Sequence, residues 1–102
     1  MDKIAVIGDK SSVLAFKSIG VDVLTPKKER HDIRNSIRKN EDKYGEIFIT
    51  ETYASLIPET IHKYKSKVLP AIILIPDSQG SLGIGMEEIK KNVEKAVGTD
   101  IL

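Results

Sequence analysis

The sequence has no cysteine. That absence excludes a disulfide framework, a thiolate metal site and a cysteine nucleophile, leaves packing or a partner to hold the fold together, and fits a cytosolic setting. It also lacks a dominant charge, because 16 Lys/Arg stand against 15 Asp/Glu for a formal charge of +1. The strong positive bias of a chain that wraps nucleic acid or an anionic membrane is missing. Long apolar runs are missing too. The longest aliphatic run, Ala71 to Ile75, is far too short to cross a bilayer, and the opening Met1, Asp2, Lys3 leads into a short apolar stretch instead of a signal sequence. With 102 residues, 40% of them apolar, the expected object is one small domain with an ordinary core, not a large enzyme.

What is present reads as a βα rhythm. Ile4, Ala5, Val6 and Ile7 are continuously apolar and are closed by Gly8 and Asp9, the pattern of a strand buried on both faces in a parallel sheet. Ser11 or Ser12 can cap a short helix through Val13, Leu14, Phe16 and Ile19, and Gly20 stops it before a strand over Val21 to Leu24. A charged helical segment between Lys28 and Lys43 follows, its thin apolar stripe made by Ile33 and Ile37. Gly45 then resets the chain for a strand over Ile47, Phe48 and Ile49, ending at Thr50. Pro58 suits the first turn of a helix, so the next helical segment splits near Leu56. Its second part runs from Pro58 to about Ser66, with Ile57, Ile61, Tyr64 and Val68 on the inner side. Ala71 to Ile75, the most apolar strand, is expected to be central or covered on both faces.

The chain is therefore expected to divide into an α/β core over residues 1–77, a glycine-rich loop over 78–85 and a C-terminal helix with its tail over 86–102. In the last part Met86, Ile89, Val93, Ala96 and Val97 follow helical spacing. That stripe either closes the last face of the sheet or lies along a partner helix. Ile101 and Leu102 continue its apolar character.

Catalytic and ligand motifs are weak by comparison. The exit of the first strand, Gly8 to Ser12, lies where open α/β sheets bind ligands, but it carries neither GxGxxG nor GxxxxGK[ST]. A tight turn at Gly8 with Asp9, Ser11 or Ser12 as a helix cap accounts for it. A phosphorylatable receiver domain wants an aspartate after the third strand, where Thr50 and Glu51 stand, and a lysine after the last, where Pro76 and Asp77 stand. Gly80, Gly83 and Gly85 suit a hinge better than an anion cradle, since no lysine lies among them. His31 and His62 have no metal-ligand spacing, and no serine sits in a nucleophile elbow. The basic run from Lys27 to Lys39 is diluted by Glu29 and Asp32 and reads as a solvated helix face. No cofactor, metal or catalytic residue is expected.

The chain as a whole resembles a known family. IAVIGDK (Ile4 to Lys10) with Ser12, Val13 and Phe16, GVDV from Gly20, IFITE from Ile47, PAIILIP (Pro70 to Pro76), Gly80 to Gly85, VEKAVG from Val93 and the final Ile101, Leu102 occur in the order and spacing of the F subunit of V-type and archaeal A-type ATPases, called the G subunit in some bacterial sodium-pumping enzymes. The resemblance implies a three-layer α/β/α sandwich, Rossmann-like or receiver-like, with a four-stranded parallel sheet and a C-terminal amphipathic helix. It implies a noncatalytic rotor component of the central stalk, bound to the coiled-coil shaft (the D subunit) near the A and B head subunits, above a funnel-shaped subunit and the membrane ring. Such a component is cytoplasmic and peripheral to the membrane, and serves ATP-driven proton or sodium transport. Candidate contact residues are Thr50, Glu51 and Tyr53, together with Met86, Ile89, Val93, Val97, Ile101 and Leu102. The different-class alternative is a standalone ligand-binding or signalling module with an anion site at Gly8 to Ser12.

Overall fold

Four short strands, the first three each followed by a connection that crosses a face of the sheet, produce the architecture. The computed structural model describes residues 3–77. Within them β1 (Lys3–Ile7), β2 (Asp22–Leu24), β3 (Tyr44–Thr50) and β4 (Ala71–Ile75) form one parallel sheet in the order β2-β1-β3-β4. Between them lie α1 (Lys10–Val13) with a 3-10 segment (Leu14–Ile19), α2 (Arg30–Asn40), α3 (Glu51–Ser55) and α4 (Pro58–Lys65). This is a four-stranded parallel sheet flanked by helices on both faces, the expected α/β/α sandwich.

The reversal of strand order after β2 explains the layering. Right-handed crossovers place the first connection on one face and the later ones on the other. On the first face, Val13 and Phe16 pack against Ile4, Val6 and Phe48; the rings of Phe16 and Phe48 meet edge to face, centroids 6.5 Å apart. On the second, Ile33 and Ile37 of α2, Ala54 of α3, and Ile61 and Tyr64 of α4 cover Ala5, Ile7, Ile47 and Ile49. Ile33 and Ile37 are completely buried, so a thin stripe is enough to seat a helix whose other faces are charged.

Three expectations need correction. The third strand starts at Tyr44, before Gly45, because Tyr44 pairs with Lys3 of β1, the register shifting by one residue before Ile4 meets Glu46. The most apolar strand, β4, lies at the sheet edge among the described residues, with Ile73 and Leu74 exposed; its apolar run resembles that of a central strand, and periodicity does not distinguish the two positions. Val68 is 86% exposed and not on an inner face, because α4 ends at Lys65. The turn at Pro58 is found as expected, with the proline in the first turn of α4. Gly20 takes a φ of 85°, which a side chain resists, and closes the 3-10 segment.

At the amino end of the sheet three strands are clasped by side chains. The Tyr44 hydroxyl donates to Asp22 Oδ2 at 2.8 Å, reaching from β3 over β1 to β2, and Lys3 Nζ lies 3.4 Å from the same oxygen. Burial and the neighbouring Asp22 carboxylate push the Tyr44 phenol up to about 12, and burial and Glu41 do the same for Tyr64. Because the folded values stand above the unfolded one, the stabilisation is complete below pH 10 and is lost as pH rises toward 12. Tyr44→Phe is expected to cost about 1 kcal/mol in urea unfolding at pH 8. It should also flatten the decline of stability above pH 10. An unchanged alkaline slope would show that the clasp does not contribute.

Candidate functional site

The carboxyl edge of the sheet is where α/β folds of this topology gather their ligands, at the point where neighbouring strands send their loops to opposite faces. Here that point lies between the exits of β1 and β3, at Gly8 and Thr50. It is tightly packed. A Cβ on Gly8 would sit 2.5 Å from Thr50 Cγ2 and 2.9 Å from Val13 Cγ1, so the glycine is required by close approach of side chains, not by a ligand. Thr50 is fully buried, and its Oγ1 has no hydrogen-bond partner among the described residues.

The polar groups around this point are used by the protein itself. Asp9 caps α1, its Oδ2 accepting from the Ser12 backbone N–H at 3.2 Å and the Ser11 hydroxyl at 2.7 Å. Burial pushes the Asp9 carboxyl up, but the hydrogen bonds from Ser12 and Ser11 prevail and hold it below its ordinary value. The cap is thus Asp9, with the serines as donors. From α3, the Tyr53 hydroxyl donates to the carbonyl of Pro26 at 3.2 Å, just after β2. From just beyond β4, Asp77 accepts from both the backbone N–H and the hydroxyl of Thr52. One short helix, α3, is therefore tied to the exits of β2 and β4 while continuing directly from β3.

Of the candidate contact residues in this region, Thr50 and Tyr53 face inward, at 0% and 4% exposure. Glu51 is partly exposed at the start of α3, with Thr52 beside it and Ser55 open at its end. Met86, Ile89, Val93, Val97, Ile101 and Leu102, and the glycines at 80, 83 and 85, lie outside the described residues. The ties Tyr53–Pro26 and Thr52–Asp77 had no sequence signal, since they join residues 27 and 25 positions apart. The aspartate three residues before Ser12 was a legible cap.

Among the described residues nothing else at this edge assembles into a metal or catalytic cluster. His31 and His62 are exposed on α2 and α4, and His31 Nε2 lies 3.0 Å from the Asn35 amide nitrogen. Among the described residues no group of three or more His, Asp or Glu side chains is arranged to hold a metal ion, and no helix is long and apolar enough to cross a membrane. A cavity of about 460 Å³ lies beside the edge strand β2 between Leu24, Lys27, Asp32 and Asn40, where the Leu24 carbonyl accepts from the Gly8 N–H at 3.3 Å.

Comparison with known proteins supplies what this geometry does not name. Residues 4–93 match the family described as ATP synthase (F/14-kDa) subunit. The chain belongs to that family. Relatives include the F subunit of the V-type ATP synthase of Fusobacterium nucleatum, 53% identical over 102 residues, covering 100% of this chain and 97% of the relative. That of Clostridium perfringens is 54% identical over 101 residues, 98% of this chain and 95% of the relative. The F subunit of the A-type ATP synthase of Thermococcus sibiricus is 34% identical over 105 residues, 97% of each chain. As an F subunit the chain is a noncatalytic central-stalk component of a rotary V/A-type ATPase.

The packing at the Gly8–Thr50 contact can be tested directly. Gly8→Ala should destabilise the fold by about 1–3 kcal/mol through overpacking. Thr50→Val, which keeps shape and removes the unpaired hydroxyl, should be neutral or stabilising by up to about 1 kcal/mol. Urea unfolding measures both, and a clear loss on Thr50→Val would reveal a partner for the hydroxyl.

Proposed function

We propose that this F subunit grips the coiled-coil shaft of its rotary ATPase, the D subunit, through the exposed side of α3 and the apolar stripe Met86, Ile89, Val93 and Val97 with Ile101 and Leu102. It thereby helps couple ATP hydrolysis or synthesis to proton or sodium transport, on the cytoplasmic side and peripheral to the membrane. The observation that carries the reading is the closed carboxyl edge: Asp9, Thr52, Tyr53 and Asp77 bond to the protein's own groups where a ligand-binding relative would present free ones. At the exits of the two central strands such a domain has surface to offer, not a crevice. Its packed sheet resists deformation, and an aliphatic stripe gives a partner helix dewetted contact area. The A and B head subunits and the funnel-shaped stalk component are then neighbours within the assembly.

A standalone anion-binding module requires an open crevice at Gly8 to Ser12, where Thr50 Cγ2 and Val13 Cγ1 instead press on Gly8. Capture of the tagged chain from detergent-solubilised cells is expected to bring down a long coiled-coil protein and the head subunits in stoichiometric amounts. Recovery of the chain alone, under conditions that keep the ATPase intact, would overturn the shaft reading. With purified shaft protein, Ile89→Asp together with Val93→Asp should weaken binding at least about tenfold, or 1.4 kcal/mol. Undiminished affinity of the folded double variant would remove the last segment from the contact.

A further inference from the structure

The helix that reads as a solvated face in the sequence aligns its three arginines along one side. Arg30, Arg34 and Arg38 are four residues apart on α2, about 6 Å per step along the axis. Arg34 and Arg38 line a cavity of about 100 Å³ with Thr60, Lys63 and Tyr64 of α4. The Arg38 guanidinium is already oriented, its Nη2 donating to Asn35 Oδ1 at 2.8 Å, and the Asn35 amide in turn engages His31. Arg34 and Lys63 are in no ion pair among the described residues. The carboxylate at the end of this groove, Glu41, is taken: the Tyr64 hydroxyl donates to it at 2.5 Å and Lys67 Nζ lies 3.9 Å away. Like charges one turn apart on a helix repel by a few tenths of a kcal/mol.

We propose that the groove between α2 and α4 docks an acidic helix of a partner protein, one carrying carboxylates four residues apart that meet Arg34, Arg38 and Lys63. The spacing of the arginines matches that of Glu or Asp on successive turns of a facing helix, and guanidinium groups bind carboxylates bidentately. The small cavity accommodates carboxylate heads. A single-stranded nucleic acid would need an open aromatic face on which to stack, and the one ring in the groove, Tyr64, is 6% exposed. None of Arg34, Arg38 and Lys63 belongs to α3, and the inference stands without the shaft reading.

Zero-length carbodiimide coupling of the full-length chain in its native assembly tests it, because an amide forms only where a lysine amine touches a carboxylate. The expected result is Lys63 joined to a Glu or Asp within a helical segment whose acidic residues repeat every four positions. Arg34→Ala with Arg38→Ala should lower that yield at least tenfold, and Arg34→Lys with Arg38→Lys should retain it. Circular dichroism checks that the variants fold. Lys63→Arg should abolish the product and leave the assembly intact, whereas Lys63→Glu should weaken the assembly. Lys63 joined only to Glu41 or Glu59 of its own chain, or unreacted while other surface lysines couple, overturns the proposal. Loss of the product in millimolar inorganic phosphate but not in equal ionic strength of chloride would make the groove a small-anion site and also overturn it. Co-purification with the ATPase decides the shaft reading; the residue joined to Lys63 decides this one, whichever protein carries it.

Discussion

The two central strands have no outward side. Ala5, Val6 and Ile7 of β1 and Ile47 and Ile49 of β3 are wholly removed from water, on both faces of the sheet. A strand buried in this way must have helices above and below, and parallel neighbours supply them through crossovers. The consequence is the reversal after β2, which sends one connection to the Phe16 side and the remaining ones to the Ile33 side. Each isoleucine sealed in this way contributes on the order of 1.5–3 kcal/mol relative to exposure, so the short stripes on α2 and α4 suffice to hold helices whose other positions are charged. Charge on those outer positions then remains available for contacts beyond the domain.

The same burial determines what happens at the carboxyl edge. Both central strands must turn sharply as they leave the sheet, and the turns come so close that Gly8 cannot accept a side chain against Thr50. A crevice that serves many α/β proteins as a ligand site is thereby filled by the fold's own packing. Directly after Thr50 the chain enters α3, which is held from two sides through Tyr53 to Pro26 and Thr52 to Asp77. A five-residue helix alone would be marginal in water. Tied to the exits of β2 and β4, it becomes part of the sheet's rim.

Much of this order was legible in the residues because burial on two faces leaves an unmistakable mark. The uninterrupted run from Ile4 to Ile7, the stop at Gly20 and the break before Pro58 locate strand, turn and helix start correctly. The position of β4 was not legible. Ala71 to Ile75 is as apolar as a central strand, yet among the described residues it stands at the edge of the sheet, and the choice depends on crossover geometry, which leaves no local pattern. Val68 shows the same limit: its spacing continued the α4 stripe, but the helix had already ended. The contact residues divide on a similar line. Thr50 and Tyr53 belong to the right region but serve its interior, because the direction of each side chain is decided by the turn from strand to helix. The long-range ties of α3 and the convergence of Arg34 and Arg38 with Lys63 exist only once the helices are packed.

A rotor component that does no chemistry must keep its shape while its neighbours change theirs, and this fold braces both ends of its sheet. At the amino end Lys3, Asp22 and Tyr44 bind three strands across one another. At the carboxyl end α3 links the exits of β2 and β4 to that of β3. Between these braces the interior is close-packed, so displacement of one surface is carried to the opposite one instead of being absorbed. That property explains why a closed carboxyl edge is compatible with function. With Thr50 and Val13 pressed against Gly8 the rim between the central strands is solid, and the contacts proposed for α3 and for the groove between α2 and α4 fall on outer surfaces of the fold.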